Sequence, residues 1–166
     1  MHDDGLRVAI ALGSNLGDRE ATLRSAGAAI AALDAVFIVA HSDVEETAPL
    51  DDAAQPAYLN QMLLVRVVMP VPDLLAELQR IEHEHGRRRT VAKGPRTLDL
   101  DIVWAEHATI TSETLLVPHP GLLVRDFWQR GLAAVLDTDA ARAAIASAGV
   151  HAGLDTALPL ASRISA

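Results

Sequence analysis

Four stretches of the chain alternate between apolar and polar residues, and apolar residues at helical spacing lie between them. Successive side chains of a strand point to opposite faces of a sheet, so the alternation predicts β-strands. The predicted strands cover residues 6–12, 35–43, 58–69 and 97–104. The second half of the third strand is apolar on both faces apart from Arg66, which indicates a central strand that is covered on both sides.

Two helices are predicted between these strands. The first follows Asp18, a suitable N-cap, and its apolar stripe is Leu23, Ala26, Ile30 and Leu33. The second opens at Pro70 and is expected to stop at Gly86, because proline suits a first helical turn and glycine a C-terminal cap. Its buried stripe is Leu74, Leu75, Leu78 and Ile81. Residues 13–18 indicate a simple tight turn, and the polar, proline-bearing residues 45–56 indicate a loop.

The order of these elements predicts the fold class. Strand, helix, strand, strand, helix, strand is the pattern of a ferredoxin-like α+β sandwich, βαββαβ. Residues 127–135 and 140–148 predict further helices as C-terminal helical additions. A chain of 166 residues favours a single domain over residues 1–166.

The composition argues against several classes of function. The net charge of −8 and the pI near 5.2 disfavour a general nucleic-acid-binding protein, which usually carries a basic face. The chain has no cysteine and therefore no disulfide framework. The acidic N-terminus lacks the features of a signal peptide, and no apolar run approaches the roughly 20 residues that span a membrane. We therefore expect a cytoplasmic protein without nucleic-acid or membrane partners.

The strongest chemical signal is the stretch Gly94-Pro95-Arg96-Thr97-Leu98-Asp99-Leu100-Asp101. Side chains at i and i+2 of a strand share one face, about 6.5–7 Å apart, so Asp99 and Asp101 should point the same way. Two carboxylates at this spacing can hold one or two Mg²⁺ ions, especially when substrate phosphates supply further oxygens. The arginines that precede them are Arg87, Arg88, Arg89 and Arg96. The combination favours Mg²⁺-dependent polyphosphate chemistry.

Each of these features also has an ordinary structural interpretation. An Asp-x-Asp pair is often the solvated face of a half-buried strand, and an arginine triplet often complements the dipole of a helix end. The glycines of residues 13–17 match neither Gly-x-x-x-x-Gly-Lys-Ser/Thr nor Gly-x-Gly-x-x-Gly, so they do not indicate a phosphate loop. The carboxylates and the arginines lie within fifteen residues of each other, which favours a site.

Five separated stretches carry a resemblance to a known family. They are Ala11-Leu12-Gly13-Ser14-Asn15-Leu16-Gly17-Asp18-Arg19, Gln55-Pro56-Ala57-Tyr58-Leu59-Asn60, Glu82-x4-Arg87-x-Arg89, the Gly94–Asp101 stretch, and Val117-Pro118-His119. Together they resemble the 6-hydroxymethyl-7,8-dihydropterin pyrophosphokinases of the folate pathway, over most of the chain. The resemblance implies an enzyme that moves a pyrophosphoryl group from ATP to the hydroxymethyl oxygen of the pterin and releases AMP.

The resemblance also implies roles for individual residues. Asp99 and Asp101 would hold two Mg²⁺ ions, and Arg87 and Arg96 would clamp phosphates during catalysis. The implied ATP-binding residues are Gln79, Glu82, Arg89, Ile102, His119 and Arg125. The implied pterin-binding residues are Thr47, Ala48, Leu50, Tyr58, Asn60 and Phe127, with Tyr58 and Phe127 as the stacking pair. The partners would be these small molecules alone, and the protein a monomer.

The chain departs from the family pattern at Lys93, Thr114 and Pro120, where relatives often have tryptophan, arginine and an aromatic residue. Residues 86–95 are rich in arginine and poor in apolar side chains, so we expect this loop to be mobile without ligand and to be ordered by phosphate. Three other interpretations stay open at this point. They are a non-enzymatic ferredoxin-like binding module, a relative that binds pterin or nucleotide without turnover, and a different Mg²⁺-dependent nucleotide transferase.

Overall fold

The computed structural model describes residues 4–49, 54–86 and 97–151. Its strands are β1 (Leu6–Ser14), β2 (Val36–His41), β3 (Glu45–Thr47), β4 (Tyr58–Val67), β5 (Asp99–Ala105), β6 (Ile110–Thr111) and β7 (Leu116–Val117). Its helices are α1 (Arg19–Ala31), α2 (Val71–Glu84), α3 (Asp126–Val135) and α4 (Thr138–His151), with a short 3-10 helix at Pro120–Leu123. In these ranges no helix has the length and apolar character needed to cross a membrane.

The main sheet has the strand order β2-β4-β1-β5, and all of its pairings are antiparallel. β1 pairs with β4 along its whole length, from Leu6 opposite Val67 to Ser14 opposite Leu59. On its other side, β1 pairs with β5, which is an edge strand of the sheet. β4 therefore lies between two neighbours, which confirms the prediction of a central strand from its apolar sequence.

Alternation along the strands gives the sheet two apolar faces. Side chains such as Val8, Ile10 and Leu12 pack in one cluster with the buried stripes of α1 and α2. Their neighbours Ala9 and Ala11 face the second cluster, which includes buried residues of α3 and α4. Helices thus cover both faces of an antiparallel sheet, and the fold is α+β.

Local capping chemistry sets the bounds of the first two helices. The Asp18 carboxylate accepts a hydrogen bond from the Ala21 N–H at 3.1 Å, which confirms Asp18 as the N-cap of α1. α2 begins directly after Pro70, and Gly86 beyond its end has φ 80°. This left-handed conformation favours glycine and suits the end of a helix.

Two short paired segments were not predicted. The prediction of a loop over residues 45–56 is wrong for β3, which pairs with the first three residues of β4. β3 is Glu-Glu-Thr, too short and too polar to show alternation, so its ladder with β4 defines it rather than apolar burial. A small hairpin of β6 and β7 also escaped prediction, because two residues per strand leave no periodicity to detect.

Candidate active site

The centre of the candidate site is a row of three residues across the sheet. Gly13 of β1 lies opposite Asn60 of β4 on one side and opposite Asp99 of β5 on the other. In the next row on the same face, Ala11 lies between Met62 and Asp101. The register of β1 therefore joins two sequence motifs that are about forty residues apart.

Gly13 has no side chain, and larger side chains from β4 and β5 surround the space above it. We call Gly13 the floor of this space. A Cβ atom built on Gly13 would lie 3.4 Å from Asn60 Oδ1, 3.7 Å from Tyr58 Cδ1 and 3.9 Å from Asp99 Cβ. Tyr58, Asn60 and Asp99 thus surround one point above the sheet. The absence of a side chain at that point leaves room for a ligand between them.

The two carboxylates have a fixed strand beneath them. Asp99 and Asp101 are half-buried, and Leu100 between them points into the opposite core. The N–H of Leu100 donates to the carboxylate of Glu82 at 3.0 Å, and Glu82 is only 4% exposed. Because β5 is the last strand in the order of the described residues, β2-β4-β1-β5, this bond to α2 holds the strand on the side away from β1.

His119 lies beside the second carboxylate, with its Nε2 atom 4.0 Å from Asp101 Oδ1. Its Nδ1 atom accepts a hydrogen bond from the Gly121 N–H at 2.9 Å, so the neutral ring carries its proton on Nε2. Burial, and secondarily the charge of Arg125, lower the pKa of His119 to about 4. At neutral pH the imidazole is therefore an uncharged N–H donor directed toward the Asp101 side.

Trp128 of α3 holds His119 and Arg125 together, although its sequence position indicated only a helix residue. The ring of His119 meets Trp128 edge to face with the centroids 5.0 Å apart. The guanidinium of Arg125 lies 4.3 Å above the indole ring, a cation–π distance. A Cβ on Gly121 would come within 3.2 Å of all three side chains, so this close packing requires glycine there.

A second group of polar contacts borders Asn60. Its Nδ2 atom donates to the Thr47 hydroxyl at 2.6 Å, which directs Oδ1 toward the space above Gly13. Ala48 follows Thr47 and is exposed at the end of β3. Phe127 is partly buried on α3 and packs against the second core cluster. The structure therefore brings Thr47 of β3 together with Tyr58 and Asn60 of β4. Helix α3, which carries Phe127, also contacts β4.

The remaining predicted site residues differ in their placement. Gln79 is exposed on α2, one turn before Glu82. The Ile102 side chain is buried in the core on the face opposite the carboxylates, which leaves only its main chain for contact with a ligand. Leu50, Arg87, Arg89 and Arg96 lie outside the described residues, as do Lys93 and most of the 86–95 loop.

The donor set fits a magnesium site that is completed by substrate. Among the described residues, no group of three or more His, Cys, Asp or Glu side chains could hold a metal ion. Asp99 and Asp101 offer two hard carboxylates on one face. Mg²⁺ is typically held by one or two carboxylates together with waters and substrate phosphates, rather than by a complete protein cage. The pair therefore suits Mg²⁺ in the presence of a polyphosphate.

Comparisons with known proteins agree on one family. A sequence model of the 7,8-dihydro-6-hydroxymethylpterin-pyrophosphokinase family matches residues 9–137. The 2-amino-4-hydroxy-6-hydroxymethyldihydropteridine pyrophosphokinase of Bacillus subtilis is 42% identical over 118 residues, which are 71% of each chain. The protein of the same name from Haemophilus influenzae is 40% identical over 118 residues, 71% of this chain and 74% of the relative. The Folic acid synthesis protein fol1 of Schizosaccharomyces pombe is 36% identical over 126 residues, 76% of this chain and 17% of that longer protein.

Proposed function

Because the chain belongs to the 7,8-dihydro-6-hydroxymethylpterin-pyrophosphokinase family, we propose that it transfers the pyrophosphoryl group of ATP to 6-hydroxymethyl-7,8-dihydropterin in folate biosynthesis. The products are AMP and the pterin diphosphate. The observation that carries the assignment is the row Asn60–Gly13–Asp99. It supports the proposal because it sets the Asn60 amide beside a carboxylate pair suited to a metal-bound triphosphate.

The reaction exchanges one phosphorus–oxygen bond for another. The hydroxymethyl oxygen of the pterin attacks the β-phosphorus of ATP, the bond from that phosphorus to the bridging oxygen of AMP breaks, and the hydroxyl proton passes to solvent. Asp99 and Asp101 would hold two Mg²⁺ ions, which when bound would neutralise triphosphate charge and make the β-phosphorus more electrophilic. The protein's own contribution is positioning and charge stabilisation, as in other phosphoryl transfers.

The nucleotide half of the proposed site is built around His119. Its uncharged Nε2–H would donate to a phosphate oxygen without adding a charge, and Arg125, whose guanidinium lies over the Trp128 ring, would supply one. Gln79, Glu82, Arg89 and the main chain of Ile102 complete the proposed ATP-binding set. Arg87 and Arg96 would close on the phosphates and exclude water, which would otherwise compete for the phosphorus.

The pterin half of the proposed site is built around Asn60. A flat polar heterocycle needs stacking surfaces and hydrogen bonds along its edge. Tyr58 and Phe127 would provide the stacking surfaces, while Asn60 would bond to the edge. The main chain of Thr47, Ala48 and Leu50 would contact the same edge. The bond from Asn60 to Thr47 supports this role because it leaves the amide oxygen as the acceptor that faces the ligand.

The arrangement of strands and helices fits the same proposal. The strand order β2-β4-β1-β5, with α1 and α2 on one face, supports a ferredoxin-like sandwich to which α3 and α4 are added. We propose a monomeric, single-domain, cytoplasmic enzyme whose partners are its two small-molecule substrates.

The test is AMP release from ATP in the presence of Mg²⁺ and hydroxymethyldihydropterin. We expect turnover by the native protein, and a fall of at least a hundredfold for Asp99→Ala and Asp101→Ala, since removing a metal-bound charge costs roughly several kcal/mol of transition-state stabilisation. Asp34→Ala, an exposed aspartate between α1 and β2, is the matched control and should retain full activity. Near-native AMP release by either site variant would contradict the metal assignment, and no release by the native protein would favour a binding protein without turnover.

A further inference from the structure

Besides the turn and the Gly13 position below the candidate site, one stretch contains two residues with long-range contacts, Asn15 and Arg19. It is Gly13-Ser14-Asn15-Leu16-Gly17-Asp18-Arg19. Gly17 has φ 75°, a conformation that favours glycine. Asp18 then caps α1, and the hydroxyl of Thr22 donates to the Asp18 carbonyl at 2.9 Å. These contacts fix Arg19 as the first residue of α1, so the backbone position from which its side chain extends is defined.

Arg19 links two segments that both lead into the proposed pterin pocket. One guanidinium nitrogen, Nη1, donates to the Ala57 carbonyl at 2.8 Å, and another, Nη2, lies 3.1 Å from a carboxylate oxygen of Glu46. Ala57 directly precedes Tyr58 at the start of β4, and Glu46 directly precedes Thr47 on β3. One side chain thus contacts the chain beside both pocket residues.

Asn15 holds the residues just upstream of Ala57. It is 1% exposed, and its Nδ2 atom donates to the Gln55 side-chain oxygen and to the Pro56 carbonyl, each at 3.2 Å. Asn15 and Arg19 together therefore bind three consecutive residues, 55–57. These contacts join the stretch of residues 11–19 to the stretch of residues 55–60, the first two of the five stretches that resemble the family.

These contacts begin where the strand pairing ends. β4 pairs with β1 only from Leu59 onward and with β3 only from Tyr58 onward. A strand terminus without further ladder bonds is prone to fray. Tyr58 is the first residue of β4 and forms the terminal pair with Thr47, so contacts to the residues just before Tyr58 limit fraying of that pair.

We infer that Arg19, supported by Asn15, is a positioning residue for pterin binding, which sets the location of Tyr58 relative to Thr47 without contacting the substrate. The inference rests on the proposed role of Tyr58 and Asn60 as the pterin pocket. A misplaced stacking ring weakens binding of the heterocycle and leaves the nucleotide half of the site, proposed on α2, β5 and the segment from His119 to Arg125, unchanged.

An ordinary surface ion pair is the competing explanation. Glu46 is 58% exposed, and an exposed pair of this kind contributes little to stability. The bond to the Ala57 carbonyl separates the two explanations, because it restrains the backbone that carries Tyr58. Glu46→Gln should therefore have a smaller effect on pterin affinity than a change at Arg19.

The test measures the dissociation constants of hydroxymethyldihydropterin and of a nonhydrolysable ATP analogue by titration calorimetry. We expect Arg19→Gln to weaken pterin binding roughly five- to twentyfold, with ATP-analogue binding within about twofold of native. This is less than the roughly 10- to 150-fold range for direct loss of a charge-assisted hydrogen bond, because Arg19 does not contact the ligand. Arg19→Lys should be intermediate, since an ammonium group can replace only part of the planar fork. Arg24→Gln, which changes an exposed arginine of the same helix, is the control and should match the native protein.

Coupling to Tyr58 distinguishes failure of the inference from failure of the pocket. If Arg19 acts through Tyr58, then Arg19→Gln adds little to the loss already caused by Tyr58→Ala. Native-like pterin affinity in Arg19→Gln, alongside a clear loss in Tyr58→Ala, overturns the positioning role and leaves the pocket intact. Native-like affinity in Tyr58→Ala overturns the pocket and the inference together. Equal weakening of both ligands by Arg19→Gln, with a lowered thermal midpoint, assigns Arg19 to general stability and also overturns the inference.

Discussion

Filling the floor at Gly13 should reduce pterin affinity without harming the fold. In Gly13→Ala the new methyl group would lie 3.4 Å from Asn60 Oδ1 and 3.7 Å from the Tyr58 ring. The first distance is tight, so one of the two groups must move by a few tenths of an ångström. Asn60 cannot retreat easily, because its amide nitrogen is already 2.6 Å from the Thr47 hydroxyl.

The magnitude follows from the contact that is disturbed. Loss or distortion of one hydrogen bond to the ligand costs about 0.5–1.5 kcal/mol, which corresponds to roughly two- to tenfold weaker pterin binding. The fold itself should gain, since Gly13 does not have positive φ. At such a position Gly→Ala stabilises by roughly 0.4–1 kcal/mol through the unfolded chain. A protein of this size would then melt about 1–4 °C higher.

The assay pairs calorimetric titration with thermal denaturation, and Gly27→Ala is the matched control. A Cβ on Gly27 meets no atom within 4 Å in the middle of α1, so this variant should raise stability by up to about 1 kcal/mol and leave both affinities unchanged. The reasoning would be refuted by native pterin affinity in Gly13→Ala. It would also fail if ATP-analogue binding weakened as much as pterin binding.

Three further predictions concern the two proposed halves of the site and the arginines Arg87 and Arg96. Tyr58→Ala and Phe127→Ala should weaken pterin binding far more than ATP binding, and equal calorimetric losses would mean that the rings are core residues. Arg87→Ala and Arg96→Ala should lower the rate of transfer more than either affinity, which single-turnover and binding measurements can separate. The lowered pKa of His119 means that the unfolded chain takes up a proton first as the pH falls from 6.5 toward 4. In metal-free buffer His119→Asn should therefore flatten the loss of thermal stability across that window; an unchanged slope would contradict the neutral ring.

Strand periodicity was sufficient to predict the shared face of Asp99 and Asp101. An alternating strand places every second side chain on one face, whatever the rest of the fold does. Helical spacing in the same way identified the buried stripe of α2, and Glu82, four residues after Leu78, lies beside that stripe. It could not show that Glu82 bonds to the Leu100 N–H, since that contact depends on where a helix packs against the edge of a sheet.

The contacts that the sequence did not predict all depend on register or on tertiary packing. Asn60 and Asp99 meet only because both pair with Gly13, and no local pattern encodes that alignment. Trp128 looked like one more apolar helix residue until its contacts with His119 and Arg125 were seen. Arg19 follows the Asp18 N-cap, and no local pattern indicates that its side chain contacts both Ala57 and Glu46.

The two carboxylates occupy different positions along the proposed path of transfer. Asp99 lies in the row of Gly13 and Asn60, on the pterin side, while Asp101 lies 4.0 Å from His119, on the nucleotide side. Ions held by this pair would supply positive charge near the triphosphate, where negative charge changes during transfer. A one-residue slip of β5 would turn both carboxylates into the opposite core. The Leu100 N–H donates to the buried carboxylate of Glu82, and this bond opposes such a slip. α2 therefore stabilises the register on which the placement of both carboxylates depends.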